Sequence, residues 1–350
     1  MRVKAEVIRG FEDTISNMQE LKLDNGGSFR MEERFKRILV TGGAGFIGSH
    51  FVEAALQKGL RVKVLDNLSS GRLDNLSSCL VDERLEFVEG DIRCASVVDT
   101  AAKGIDAVVN LAALVSVPNS IKEPKRTALT NSLGTLSLLE ACVKNRIERF
   151  VYASSCAVYG NPRYLPIDEE HPTNPLSPYA ASKLAGEAYC NAFTATYGLE
   201  TVCLRLFNVY GLRQGGGPYA GVIVKFLERL KQGKAPVIFG DGSQTRDFVH
   251  VSDVVEALLL SLDCEGVGER INVGSGRAVT INELAQLMMR ITGKDMVPIY
   301  EARRDGEITY SEVNIAKAQS LLGYRPRVSL EEGLARIISE RFRDPSTIHA

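Results

Sequence analysis

The segment Arg37-Ile38-Leu39-Val40-Thr41-Gly42-Gly43-Ala44-Gly45-Phe46-Ile47-Gly48 decides how the rest of the chain is read. Residues 37–40 read as a short buried strand, and residues 46–57 carry apolar side chains at helical spacing, with the glycines as a tight turn between them. In such a strand, turn and helix unit Gly42 permits the sharp turn, Gly45 leaves bare backbone for a pyrophosphate, and Gly48 lets the helix close on the strand. The first helical amides, backed by the positive end of the helix dipole, then face the phosphates. Glycine-rich turns also arise for purely conformational reasons, so a second signal is needed. It comes at the end of the next apolar run, residues 60–65, where Asp66 stands about twenty residues beyond the last glycine, the place of an acceptor for an adenosine ribose. A carboxylate there repels a ribose 2′-phosphate and so favours NAD over NADP.

The 350 residues include 24% charged side chains and a formal net charge of −1, which gives no bulk attraction to nucleic acid or to an anionic membrane. The seven cysteines are odd in number, scattered and free of CxxC spacing, which points to reduced thiols in a cytoplasmic setting and to no metal site. No apolar run approaches the ~20 residues that span a bilayer. Residues 1–34 precede the first strand; the stretch is charged from Arg2 onward and has only a loose amphipathic spacing at Ile8, Phe11, Ile15 and Met18. It reads as a frayed or disordered extension.

From Arg37 to Leu206 strands alternate with helices. Residues 86–92, 106–113 and 148–154 read as further strands, and residues 124–144 as one long helix. Continuous apolar strands interleaved with amphipathic helices mean a parallel sheet covered on both faces. Ligands in such sheets bind outside the carboxyl ends of the strands, which gathers Asp66, Asp91 and Ser154-Ser155 around one crevice. A second constellation joins Ser155 to Tyr179 and Lys183. Pro178 suits the first turn of a helix, which puts Tyr179 and Lys183 one turn apart on one face. A phenol is a poor base at neutral pH, but a nearby ammonium and a positive nicotinamide ring favour its phenolate. Ser155 can hold the same substrate oxygen.

These stretches, with Gly90-Asp91-Ile92, Leu111-Ala112-Ala113 and Val158-Tyr159-Gly160, resemble the extended short-chain dehydrogenase/reductase superfamily, and within it nucleotide-sugar epimerases of the UDP-glucose 4-epimerase type. The resemblance covers about residues 36–341. It implies an α/β fold with a doubly wound parallel sheet (Rossmann) over residues 35–205, a returning segment about 245–275, and a smaller α/β substrate-binding lobe from residues 206–244 and 276–343. Catalysis would rest on Ser155, Tyr179 and Lys183. Beside the glycines, Phe46 and Ile47 would line the pyrophosphate of NAD, and Asp66, Asn67, Leu68, Ser69, Ser70 and Gly71 the adenosine ribose. Asp91 and Ile92 would meet the adenine and Leu111, Ala112, Ala113, Leu114 and Val115 the nicotinamide side, with Asn131 and Phe207 framing the cofactor.

The later chain carries Leu204-Arg205-Leu206-Phe207-Asn208-Val209-Tyr210-Gly211, Gly240-Asp241-Gly242 and a segment from Thr245 to Asp253. By the resemblance Asn208, Arg246 and Arg304 hold the diphosphate or sugar; a guanidinium suits that because its fork of donors matches phosphate oxygens. Ser311 would stand where bulk limits the space beside the sugar C2 substituent, so a small side chain admits UDP-GlcNAc and UDP-GalNAc beside UDP-glucose and UDP-galactose; the same serine can equally report only local packing. Asp247, Asp253 and His250 read as structural. Dehydratases of the superfamily carry an Asp-Glu pair directly before Val-Tyr-Gly; here Cys156 and Ala157 stand there. The expected reaction is oxidation and re-reduction at the sugar C4, in a homodimer paired through helices around residues 130–141 and 179–195. Rival readings are a dehydrogenase or reductase with net redox output and a non-enzymatic NAD-binding regulator.

Overall fold

Strand β1 (Arg37–Thr41) alternates its side chains between two cores: Ile38 and Val40 join one cluster and Leu39 the other, all fully buried. Both faces of this strand are therefore covered, as its unbroken apolar run requires. The computed structural model describes residues 34–216, 221–303 and 308–342. The proposed extension falls, except for Arg34, outside the described residues, as does Arg304.

After β1 come α1 (Phe46–Gln57), β2 (Arg61–Asp66), β3 (Leu85–Glu89), α2 (Ala95–Ala101), β4 (Ala107–Asn110), α3 (Val117–Lys122), α4 (Pro124–Ala128), α5 (Gly134–Asn145), β5 (Arg149–Ser155), α6 (Pro178–Tyr197) and β6 (Glu200–Leu206). They are followed by β7 (Asn208–Tyr210), α7 (Val222–Lys231), β8 (Val237–Phe239), β9 (Thr245–His250), α8 (Val251–Leu262), β10 (Glu269–Val273), β11 (Ala278–Thr280), α9 (Ile281–Ile291), β12 (Ile299–Glu301), α10 (Ala316–Leu322) and α11 (Leu330–Phe342). Seven parallel strands form the main sheet in the order β3-β2-β1-β4-β5-β6-β10. The strand order reverses between β1 and β4, so their carboxyl ends open a crevice there. At that point Thr41 pairs with Asn110 in register and donates its hydroxyl to the Asn110 Oδ1 at 2.8 Å.

Helices α1 and α8 cover one face with Phe51, Val52, Val254 and Leu258; α2, α5 and α6 cover the other with Val98, Leu138, Leu139 and Phe193. Each such side chain contributes about 1.5–3 kcal/mol of burial. A third cluster joins α7, α9 and α11 to the three-stranded sheet β11-β9-β7, through Phe226, Leu230, Leu284, Met288, Leu334 and Ile337.

Three local readings differ from the sequence expectation, the first being β4, expected over 106–113 and observed over Ala107–Asn110. β3 stops at Glu89 rather than 92: the Gly90 amide makes a last rung to the Asp66 carbonyl at 3.0 Å, and the chain then turns, the Cys94 amide donating to the Asp91 carbonyl at 3.0 Å. The expected helix over 124–144 is interrupted at Leu129–Leu133 by one wider π turn. Such turns offset a helix face without ending it; here the offset aims Asn131 at Leu114, whose amide and carbonyl it binds at 2.8 and 3.0 Å.

Candidate active site

The glycine turn makes a cradle that side chains would fill. Gly42 sits at φ +71°, and a Cβ on it would stand 2.7 Å from the Ala112 amide nitrogen; one on Gly48 would stand 2.1 Å from the Gly42 carbonyl oxygen. Helix α1 begins at Phe46 from an extended Gly45, with no side-chain cap and no acidic residue in its first turn. Its leading amides are thus left for an external anion.

The cleft in front of this turn runs along the carboxyl ends of β2, β1, β4 and β5. It is lined by Gly42, Gly45, Phe46, Ile47 and Gly48, by Asp66, Asn67, Ser69, Ser70, Asp91 and Ile92, and by the whole of 111–115. Ser155, Tyr179, Lys183 and Phe207 close its far end. Leu68, Gly71 and Asn131, also expected at the cofactor, support this wall instead of forming it. Leu68 packs on the core in a left-handed conformation, and Gly71 lies against Ala44 and the Asp66 carboxylate. Asn131 is spent on Leu114 and on the Ser182 hydroxyl, 2.9 Å away.

Asp66 is buried, and its two carboxylate oxygens accept the Ala44 and Leu68 amides at 3.0 and 2.8 Å. Burial raises its pKa and these two amides oppose the rise. Each oxygen keeps a lone-pair direction for a ribose hydroxyl. Asp91 is held well below the usual carboxylate range, chiefly by Arg93, which grips it with two donors at 2.9 and 2.7 Å, and also by the Asn67 amide at 2.7 Å.

At the other end β5 delivers Ser155, whose hydroxyl accepts the Ala157 amide at 3.2 Å. Helix α6 starts cleanly because Ser177 caps it, accepting the Ala180 amide at 3.1 Å, and Pro178 occupies the first turn. Burial pushes the Tyr179 phenol up to about 12, opposed by a hydrogen bond with Ser155. Burial also brings Lys183 down to about 8. The Lys183 ammonium donates to the Ala153 carbonyl at 2.8 Å and lies 5.0 Å over the Tyr152 ring. Among the protein's own groups, the hydrogen bond with Ser155 opposes the effect of burial on Tyr179.

A second cleft adjoins the first through Val209, which lines both. Asn208 and Arg246 stand in its wall with Gln214, Lys225, Phe239 and Gln244. The sequence reading had passed over these four; the one signal for them was Phe239, directly before the quoted Gly240-Asp241-Gly242 turn. Asn208 donates to the Asp247 carbonyl at 2.9 Å, and Arg246 to the Thr245 carbonyl at 2.7 Å. Ser311 is buried outside both cleft walls, its amide donating to the Thr245 hydroxyl at 3.2 Å beside Arg246. Asp247 accepts the Ser275 and Arg277 amides at 2.7 and 2.9 Å, Asp253 the Arg327 and Val328 amides at 3.0 and 3.2 Å, and His250 caps α8. Burial lowers the His250 imidazole to about 4.

A cradle for phosphates at the switch point of a doubly wound sheet, with a tyrosine and a lysine on one helix face at its end, defines a dinucleotide-dependent enzyme of the extended short-chain dehydrogenase/reductase class. The chain belongs to the NAD dependent epimerase/dehydratase family, whose model matches residues 38–274. It is 42% identical over 304 residues to a putative UDP-glucose 4-epimerase of Methanocaldococcus jannaschii, covering 86% of this chain and 97% of that one. Among solved structures it is similar to UDP-glucose 4-epimerase from Thermotoga maritima with UDP-glucose, at 40% identity and a TM-score of 0.82, covering 87% and 97% of the two chains. It is likewise similar to UDP-N-acetylglucosamine 4-epimerase from Methanobrevibacter ruminantium in complex with UDP-N-acetylmuramic acid, at 38% identity and TM-score 0.82, covering 87% and 99%. Among the described residues no helix is long and apolar enough to cross a membrane.

Proposed function

We propose that this NAD-dependent epimerase inverts C4 of a UDP-hexose, interconverting UDP-glucose with UDP-galactose and UDP-GlcNAc with UDP-GalNAc. The observation that carries the reading is the junction of two clefts at Val209, with Tyr179 and Ser155 at the end of the dinucleotide cleft and Asn208 and Arg246 in the wall of the next. In the first cleft Gly42, Gly45 and the leading turn of α1 would hold the NAD pyrophosphate, Asp66 a ribose and Phe207 the ring end. NAD held there would supply the acceptor for the C4 hydride and its donor on the return, so no cofactor would be consumed.

Tyr179 takes the proton of the C4 hydroxyl while Ser155 holds the same oxygen. The 4-keto sugar then turns over in the second cleft, and Tyr179 returns the proton as the other face is reduced. Turning over requires a nucleotide half held more firmly than the sugar, the role assigned to Arg246 and Arg304. Dehydration would need an additional acid and base beside Tyr179. The positions that supply them in dehydratases hold Cys156, whose thiol burial pushes up to about 12, and Ala157. Ala157 has no titratable group and Cys156 is no carboxyl, so the acid–base pair a dehydratase uses is missing, which favours epimerisation within a family that does both.

Residues 206–244 and 276–343 are read as the substrate lobe. The acetamido sugars are included because one similar structure is a UDP-N-acetylglucosamine 4-epimerase; Ser311, buried outside both cleft walls, does not support the space expected of it beside C2. A homodimer is supported by exposed apolar side chains at Leu129 (47%) and Leu133 (46%), on the π turn between α4 and α5, and at Ile121 (63%) on α3. Seven unpaired cysteines support a reducing, cytoplasmic setting.

The test is incubation of the purified protein with UDP-, GDP- and dTDP-sugars without added cofactor. C4 epimers of the UDP-sugars are expected; products needing added NAD, or no turnover with any sugar, would overturn the reading. Arg246→Ala is expected to raise KM about tenfold or more at little-changed kcat, because its charged hydrogen bonds persist through the reaction. Initial-rate kinetics on UDP-glucose check this.

A further inference from the structure

Beneath the catalytic side chains runs a buried polar chain that the proposed reaction does not use. Glu187 follows Lys183 by one turn on the same face of α6. Its carboxylate accepts from Arg205 Nε at 2.9 Å, from Arg205 Nη2 at 2.7 Å and from the Ser154 hydroxyl at 2.5 Å. Arg205 Nη1 donates to the Tyr159 hydroxyl at 2.9 Å, which donates to Asn272 Oδ1 at 2.6 Å. The guanidinium also lies 4.7 Å over the Tyr159 ring. Asn272 is pinned in turn to the Ile167 carbonyl at 3.1 Å and to Glu169, which accepts its amide at 2.7 Å. Glu187 and Arg205 are 2% and 3% exposed.

A fully buried ion pair is a poor stability device, because taking two charges out of water offsets most of their attraction. Its position is informative instead. The groups facing Lys183 are few: Glu187 and Cys190 on its own helix, with Tyr179 one turn before it, and the Tyr152 ring and Ala153 carbonyl on β5. Tyr152 offers a ring face and a buried hydroxyl without a partner, so no charge comes from that side. Glu187 is the carboxylate whose charge acts on the lysine, and Arg205 reaches the site from β6 only through Glu187. Glu187 also grips Ser154, the neighbour of Ser155.

We propose that Glu187 and Arg205 are a positioning pair for the active site, in which Glu187 keeps the buried Lys183 charged and fixes the end of β5 that carries Ser155, while Arg205 locks Glu187 in place. The proposal rests on the reading of Lys183, Tyr179 and Ser155 given above. It separates two tasks that one lysine–tyrosine contact is often asked to perform. The phenol answers to Ser155 inside the protein, and the ammonium answers to a carboxylate held behind it.

The pair makes predictions of opposite sign, which packing alone does not. Glu187→Gln removes the negative charge and leaves Arg205 unneutralised, so Lys183 should lose its proton at lower pH by about one unit. Arg205→Met leaves Glu187 uncompensated and should move the same titration upward. The readout is trace acetylation of Lys183 by acetic anhydride as a function of pH, quantified by peptide mass spectrometry on the full-length protein, with the alkaline limb of UDP-glucose epimerisation followed in parallel. Tyr159→Phe removes two hydrogen bonds of the chain, those with Arg205 and Asn272, and keeps both charges, and should leave the Lys183 titration in place.

If the single charge variants do not fold, the neutral double variant Glu187→Gln/Arg205→Met removes the unpaired charge. Its Lys183 titration should still lie below wild type, by less than Glu187→Gln alone. Titrations that coincide in all variants, or that move in the same direction for Glu187→Gln and Arg205→Met, would leave a structural ion pair and overturn the proposal. Tyr179→Phe separates the two levels: if it still epimerises UDP-glucose, the underlying reading fails; if it is inactive while the Lys183 titrations coincide, only the positioning pair fails.

Discussion

Tyr179→Phe is expected to lower kcat for C4 epimerisation by about 10²–10⁴-fold, the span general acid–base catalysis covers, while the protein keeps its bound dinucleotide. The substitution removes one oxygen and leaves the ring in its half-buried place on α6, so the fold and the cofactor cleft are preserved. What is lost is the group that accepts the C4 proton. Ser155 cannot substitute, because a serine hydroxyl has no accessible basic form and its oxygen already accepts the Ala157 amide. Single-turnover measurements on the cofactor-loaded protein isolate this step from sugar binding. Activity within a few-fold of wild type would show that another group moves the proton.

The second large effect is steric. Gly48→Ala places a methyl carbon 2.1 Å from the Gly42 carbonyl oxygen and 2.8 Å from the Gly43 Cα. Both are backbone atoms of the turn itself, so relief requires moving α1 away from β1. That displacement pulls Phe51, Val52, Ala55 and Leu56 out of their packing in the first core and opens the cradle where the helix amides converge. A loss of about 1–3 kcal/mol or more is expected, together with loss of the dinucleotide from the purified protein. Thermal unfolding and assay of nucleotide released on denaturation check the two parts separately. Gly43→Ala is the informative contrast. Its Cβ would meet the two Val64 methyls at 2.8 Å, side-chain atoms that can shift, so the damage should be smaller and the cradle kept. Equal losses in both variants would mean that the turn tolerates no Cβ anywhere, and would remove the specific role given to Gly48.

Several elements were legible because their signals are local. Helix α1 spans the residues 46–57 expected from apolar spacing alone, and α6 begins where Pro178 announces it. Asp66, Asp91 and Ser155 converge because parallel strands deliver their carboxyl ends to one edge, whatever the loops between them do. Asn131 was assigned to the cofactor's surroundings, but its atoms are spent on Leu114 and Ser182; the π turn that decides this leaves no mark in hydrophobic periodicity. Arg205 did leave one. A charge at the penultimate position of a strand buried from Thr201 to Leu206 demands a partner, yet the partner, Glu187, comes from the helix before it.

The sequence alone determined the parallel sheet, the phosphate cradle and the tyrosine–lysine helix, because strand pattern, glycine and proline act over a few neighbouring residues. The tertiary structure decided which group each charge answers to. Lys183 faces Ala153, Tyr152 and Glu187, and Arg246 and Asn208 open onto a cleft joined to the first at Val209. Those pairings depend on burial and on distances between residues far apart in the chain, and periodicity carries neither.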